Sequence, residues 1–103
     1  METYRINTGF RRIQIFDRFY LLAKKETRKE YPVLTPLNDT AELIWIAVSE
    51  GKSLCEVAEE VASVYDIDAG QAYEDVLFLC REMNKYGYMH KVEIESEESN
   101  NNI

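Results

Sequence analysis

The chain has 103 residues, 46% of them hydrophobic, and carries a net charge of −7. This length is typical of one domain with a modest core. Residues 1–36 carry +4 and residues 37–103 carry −11, and the acidic second part would repel phosphate, which weighs against a nucleic-acid partner. No apolar run approaches the roughly 18 residues of a membrane span and no secretory signal is visible, so we expect a cytoplasmic protein without a membrane partner.

The first third of the sequence predicts three β-strands. "RRIQIF" (11–16) and "RFYLLAKK" (18–25) are rich in β-branched and aromatic residues, and a tight turn at Asp17 and Arg18 would join them as a hairpin. After the charged segment "KKETRKE", the stretch "YPVLTP" (31–36) predicts a third strand. Pro32 lacks a backbone N–H, so we expect this strand to lie at a sheet edge.

The rest of the sequence predicts three helices, with apolar residues at helical spacing and capping residues at the ends. They run from Asn38, Asp39 or Thr40 to Gly51, from a Ser53/Glu56 capping box to Tyr65, and from Ala69 to a left-handed glycine cap at Gly87. The predicted order is β-β-β-α-α-α, an α+β fold with a three-stranded antiparallel sheet followed by a three-helix bundle. "YMHKVEI" (88–94) could add a short extended segment. We expect one domain over residues 1–92 and an acidic, disordered tail over residues 93–103.

The third predicted helix is too apolar for a single core-facing stripe. One stripe contains Ala72, Val76, Leu79, Met83 and Tyr86, and a second, about 100° further round, contains Tyr73, Leu77, Cys80 and Asn84. Phe78 lies outside both. If this helix runs beside the open third strand, the two elements form a slot with main-chain donors on one wall and the second stripe on the other, which suits a peptide bound as an added strand. A helix buried on two sides is the alternative.

The sequence offers no catalytic or metal-binding constellation. Cys55 and Cys80 fall within apolar helical patterns and His90 stands alone. We therefore expect two reduced core thiols, no catalytic residues, no metal site and no cofactor, and hence a protein that is not an enzyme.

Three motifs in the middle of the chain carry a family resemblance through their order and spacing. They are "LNDTAELIW" (37–45), "EGKSLCEVAEEV" (50–61) and "YEDVLFLCREMNKYGYM" (73–89). Together they resemble the PqqD family, whose members are also called RiPP recognition elements and capture the leader peptides of ribosomally synthesised natural products. The resemblance covers roughly residues 10–89 and implies a winged-helix-like fold, in which the leader peptide adds as a strand beside the third strand, in the cleft with the third helix.

The resemblance implies a non-catalytic peptide chaperone of natural-product biosynthesis that delivers a precursor peptide to a separate modifying enzyme, such as a radical-SAM maturase, a leader peptidase or a dehydratase. The residues expected to bind the peptide are Tyr31, Val33, Leu34 and Thr35 through the backbone, and Tyr73, Leu77, Cys80, Arg81 and Asn84 on the opposite wall. On this assignment, Leu77→Asp should weaken peptide capture far more than it destabilises the fold. We expect the basic residues Lys24, Lys25, Arg28 and Lys29 to form a solvated loop or to steer an acidic peptide electrostatically.

Two other functions share this architecture. One is an adaptor or dimerisation module whose open edge strand pairs with a second copy of itself to form a homodimer. The other is a winged-helix DNA-binding regulator, since fold alone does not determine function. The third helix disfavours DNA because Arg81 and Lys85 are outnumbered there by Glu74, Asp75 and Glu82.

Overall fold

The computed structural model describes residues 2–92, so the predicted disordered tail lies outside the described residues. The elements in chain order are β1 (Thr3–Ile6), β2 (Phe10–Ile15), β3 (Arg18–Ala23), a 3₁₀ turn (Thr27–Lys29), β4 (Leu34–Leu37), α1 (Asp39–Ser49), α2 (Leu54–Tyr65), α3 (Ala69–Lys85) and β5 (Met89–Val92). None of these helices is long and apolar enough to cross a membrane.

The predicted three-stranded antiparallel sheet followed by three helices is confirmed. Strands β2, β3 and β4 pair in that order, which leaves β4 at an edge. The hairpin turn falls at Phe16 and Asp17, because Arg18 already pairs with Ile15. The third strand begins later than predicted, at Leu34, so the prediction that it starts at Tyr31 is wrong.

A second, two-stranded sheet joins the two ends of the described chain. Strand β1 pairs antiparallel with β5, with Thr3 opposite Val92 and Ile6 opposite Met89. The extended segment predicted after the third helix is therefore confirmed as β5, whereas β1 was missed. Its four residues are too short to be evident alone, and its partner lies more than 80 residues away in the sequence.

The predicted helix ends are confirmed by their capping bonds. The Asn38 side chain accepts from the backbone N–H of Ala41 at the start of α1, and Ser53 and Glu56 form the capping box of α2. Gly51 and Gly87 both have φ of +86°, the left-handed conformation that commonly ends a helix at its C-terminal cap. After Gly87, the N–H of Tyr88 donates to the carbonyl of Met83 at 2.8 Å, which aims the chain into β5.

One apolar core underlies both sheets and the three helices. Its fully buried side chains include Leu21 of β3, Ile44 of α1, Val57 of α2, Val76 of α3 and Met89 of β5. The two cysteines differ. Cys80 is buried as predicted, but Cys55 is exposed, because Leu54, Val57, Ala58 and Val61 occupy the buried arc of α2 and Cys55 falls outside it.

An ion pair ties the chain start to α3. Arg81 donates from Nε to a Glu2 carboxylate oxygen at 3.1 Å and from a second guanidinium nitrogen to the other oxygen. The hydroxyl of Tyr4 donates to the same carboxylate at 2.5 Å. These bonds stabilise the charged form of the acid and lower the pKa of Glu2 from 4.5 to about 2.

The glycine caps provide a matched test of the fold. A Cβ at Gly87 would overlap the Tyr31 hydroxyl, whereas a Cβ at Gly51 would meet nothing within 4 Å. We expect Gly51→Ala to lower the free energy of unfolding by about 1 kcal/mol through the left-handed conformation alone. Gly87→Ala should cost at least about 1 kcal/mol more, because the Tyr31 ring must also move. Urea unfolding of both variants measures the difference, and equal losses would contradict the Tyr31–Gly87 contact.

The Glu2 carboxyl provides a test by titration. Because its folded pKa is depressed, the stabilisation it contributes is present above pH 4.5 and is lost as the pH falls toward 2. We expect an NMR titration to place the folded Glu2 midpoint near 2 and the Arg81→Met variant to return it toward the ordinary value. A midpoint unchanged by Arg81→Met would show that the ion pair does not form in solution.

Candidate functional site: the groove between β4 and α3

The outer edge of β4 carries unpaired backbone groups. The N–H of Ala23 donates to the carbonyl of Val33 at 2.9 Å, and antiparallel pairs alternate between hydrogen-bonded and non-hydrogen-bonded. With Leu22 opposite Leu34 and Tyr20 opposite Pro36, the backbone polar groups of Leu34 and Pro36 face away from β3. The open edge therefore presents one donor, the N–H of Leu34, and two acceptors, the carbonyls of Leu34 and Pro36.

Pro36 is accommodated here because its nitrogen lies on the open side. A proline paired toward β3 would remove a hydrogen bond from the sheet, which is why prolines within strands are confined to edges. The sequence prediction used Pro32 to identify an edge strand. Pro32 precedes β4, and Pro36, within the strand, is the residue whose backbone marks the open side.

A groove runs between this edge and α3. Two adjoining cavities, of about 240 and 310 Å³, share Asn38, Ala41 and Leu79 and form what we call the β4–α3 groove. Buried Leu21 and Leu37 contribute to the first cavity and Ile44 to the second. The groove thus has an apolar floor, with a strand edge along one side and a helix along the other.

The helix wall of the groove is not the stripe that the sequence prediction chose. The residues of α3 that line it are Asp75, Phe78, Leu79, Glu82 and Met83, and the residue that caps its C-terminal end, Tyr86, joins them. A helix turns about 100° per residue, so Leu77 points about 200° away from Leu79. Tyr73 and Leu77 are half-buried against the core on that other side. The expectation that Tyr73, Leu77 and Cys80 form the wall is therefore wrong.

Three residues assigned to the helix wall, Cys80 among them, lie in other surroundings. Cys80 is fully buried, and burial raises the pKa of its thiol to about 12, so it stays protonated at neutral pH. Arg81 pairs with Glu2. The side-chain oxygen of Asn84 accepts from the N–H of Lys91 at 3.0 Å, which fastens α3 to β5. None of the three faces the groove.

On the strand side, the predicted residues direct their backbone groups to both sides of β4. Leu34 presents its backbone to the open edge, as predicted, but Val33 and Thr35 direct theirs toward β3. The hydroxyl of Thr35 lies 3.1 Å from the hydroxyl of Tyr88. Tyr31 precedes β4, so its assignment to the third strand is wrong.

Tyr31 instead helps to fix the groove. Its ring lies 5.0 Å from that of Phe10 and 5.4 Å from that of Tyr88, centroid to centroid, and its hydroxyl donates to the carbonyl of Tyr86 at 3.0 Å. These contacts hold the segment before β4 against the C-terminal end of α3. The separation of the two groove walls at this end is set by this aromatic cluster.

The predicted basic residues lie in the segment that leads to Tyr31. All four of them, Lys24, Lys25, Arg28 and Lys29, are exposed. Arg28 donates to the carbonyl of Ala23 at 2.8 Å and Lys29 lies 3.4 Å from Glu26. The cluster thus sits near the Leu34 end of the groove, and Asp75 and Phe78 line the opposite end.

The most exposed apolar residues of the groove were not among those predicted from the sequence. Phe78 is 67% exposed and Tyr86 is 58% exposed, and both lie on the groove side of α3. Two large side chains left in solvent eight positions apart, a little over two helical turns, were the available signal. Phe78 was set aside because it fitted neither stripe, and Tyr86 was assigned to the core.

Two solved structures share this fold. The chain is similar to a structure described as "Lasso peptide synthetase B1 complexed with the leader peptide", with a TM-score of 0.68 and 24% identity over 84% of this chain and 95% of that chain. It is also similar to "TbiB1 in Complex with the TbiA(beta) Leader Peptide", with a TM-score of 0.70 and 18% identity over 87% and 99% of the two chains. A comparison with curated protein sequences gives no match.

The sequence itself identifies the family. Residues 30–89 match the family model described as "Coenzyme PQQ synthesis protein D (PqqD)". This range begins just before β4 and ends at the first residue of β5, so it contains both walls of the groove. Because the match spans more than half of the chain, the protein belongs to the PqqD family.

Proposed function

We propose that this protein captures the leader region of a ribosomally synthesised precursor peptide as an extra β-strand in the β4–α3 groove and delivers it to a separate modifying enzyme. The observation that carries the proposal is the open edge of β4, which faces a groove with an apolar floor. Both similar structures are described as complexes with a leader peptide, which supports the same class of ligand here.

The edge sets requirements on the ligand backbone. If the peptide adds antiparallel to β4, a peptide residue placed opposite Leu34 exchanges two hydrogen bonds, one in each direction. A peptide residue placed opposite Pro36 donates its N–H to the Pro36 carbonyl but receives no N–H in return. The peptide must therefore supply two backbone donors two positions apart, and a proline at either position would remove one bond.

The α3 wall supplies side-chain contacts. Alternate side chains of an added strand would point toward the floor and toward Phe78 and Tyr86, whose large exposed rings suit the role of apolar anchors. Asp75 and Glu82 lie on the same wall. Backbone hydrogen bonds would contribute affinity for the peptide whatever its sequence, and these side chains would select among peptide sequences.

The thiol nearest the groove wall, that of Cys80, is not suited to catalysis. The protonated thiol of Cys80 is a poor nucleophile and is closed off from solvent. Holding the leader instead raises the effective concentration of the attached core peptide at the enzyme that modifies it. Lys24, Lys25, Arg28 and Lys29 would favour the approach of an acidic leader to the Leu34 end of the groove.

Two exposed apolar side chains separate peptide binding from general surface effects. Phe78 lies in the groove and is 67% exposed, whereas Val64 lies on α2 outside it and is 62% exposed. We expect Phe78→Ala to weaken binding of the leader peptide about tenfold, as loss of an apolar anchor does. Val64→Ala should leave the affinity unchanged. Fluorescence anisotropy with a labelled leader from the precursor gene beside this one measures both, and equal affinities would contradict the groove assignment.

Leu77 provides the complementary test. Because its side chain packs against the core, Leu77→Asp should lower the free energy of unfolding by about 2 kcal/mol or more. Binding should fall only as far as the folded fraction falls. Thermal unfolding and anisotropy on the same samples give both quantities. A stable Leu77→Asp variant that no longer binds the peptide would restore the wall predicted from the sequence.

A further inference from the structure

The three-stranded sheet has an apolar face on the side away from the core. Side chains alternate along each strand, so residues opposite one another across the strands share a face. Ile13, Tyr20 and Pro36 form one cross-strand row, and Leu22 and Leu34 form the next. We call these five residues, together with Ile15, the outer sheet face.

The residues of the outer sheet face are not part of the apolar core. Ile13, Tyr20 and Leu22 are half-buried, yet none belongs to the core cluster or to the residues packed against it. Ile15 and Leu34 are each 40% exposed. Antiparallel sheets that turn one face to solvent normally place polar residues there. Six apolar side chains in adjacent rows are instead typical of a surface that another protein covers.

The charge of the face indicates which kind of protein. Arg11 lies opposite Leu22 and Arg18 lies opposite Ile15, so both arginines border the outer sheet face. Strands β2, β3 and β4 contain no Asp or Glu. Asp17 and Asp39 line a cavity beside Arg18 at one end of the face, so carboxylates are present there but not within the strands. Two copies stacked through this face would bring four guanidinium groups together, which opposes self-association. A partner with an apolar surface bordered by carboxylates would fit.

The face is also continuous with the groove, and this step rests on the proposed function. Leu34 and Pro36 contribute side chains to the outer sheet face and backbone groups to the open edge of β4. A peptide added to that edge would extend the sheet by one strand, and every second side chain of the peptide would join the same face. A protein docked there would touch both the chain and its bound peptide.

We propose that the outer sheet face is the docking surface for the separate peptide-modifying enzyme, which meets Ile13, Tyr20 and Leu22 with an apolar patch and Arg11 and Arg18 with carboxylates. The enzyme then binds more tightly to the peptide-loaded chain than to the free chain, because the added strand enlarges the surface.

The test compares the affinities of one chain for its two partners. The double variant Ile13→Thr/Leu22→Thr places β-branched threonines, which suit strands, at both positions. Val64→Thr makes a similar change outside the face. Each is titrated with the purified modifying enzyme encoded beside this gene, with and without the leader peptide, and separately with the peptide alone. We expect the double variant to lose about tenfold or more in enzyme affinity. Its peptide affinity and melting temperature should equal those of the Val64→Thr control.

The double variant Arg11→Gln/Arg18→Gln tests the charges at the border of the face. It should lower the association rate constant for the enzyme and make that rate constant less dependent on salt concentration.

Three results would overturn the proposal. The threonine double variant could bind the enzyme as tightly as the wild-type chain does, or the wild-type chain could fail to bind the enzyme. Sedimentation could also show that the wild-type chain is a dimer and that the threonine double variant is a monomer. Failure of the proposed function is a separate result. The peptide alone would then not bind the wild-type chain, while enzyme affinity measured without the peptide would still report on the face.

Discussion

The contact of Tyr31 with Phe10 and Tyr88 is the constraint on which the groove depends. The segment before β4 and the C-terminal end of α3 come from distant parts of the chain, and this aromatic cluster holds them together. Gly87 permits the approach because it has no Cβ to meet the Tyr31 hydroxyl. Tyr88 then leads into β5, whose pairing with β1 returns the start of the chain to the same core. One cluster thereby links the segment before β4, the end of α3 and the residue that leads into β5.

Pro36 gives the site its chemical character. It leaves the edge of β4 with more acceptors than donors, which still permits an incoming strand but restricts which of its amides are satisfied. The opposite edge, on β2, carries Arg11 and Arg12, charged residues of the kind that discourage unwanted strand pairing. The two edges of one small sheet thus differ, and the edge that faces the groove is the one suited to a partner.

The sequence predicted the features that depend on local chemistry. Helix caps at Asn38, Ser53 and Gly87 follow from side-chain hydrogen bonds and left-handed glycine, and the β2–β3 hairpin follows from strand composition. It did not predict β1, whose partner is distant, or the orientation of α3. Apolar residues cover most of that helix, so periodicity could not distinguish the arc under the sheet from the arc beside the groove. Phe78 and Tyr86 were consequently missed, and Cys80 was placed in the groove although it is buried.

Amide hydrogen exchange at Leu34 and Thr35 tests the central claim most directly, because the two neighbouring N–H groups face opposite sides of β4. In the free chain, Thr35 should be protected by its bond to β3 and Leu34 should exchange rapidly from the open edge. Saturation with the leader peptide should slow exchange at Leu34 and leave Thr35 unchanged. Tight peptide binding that leaves Leu34 exchanging as in the free chain would contradict strand addition at β4.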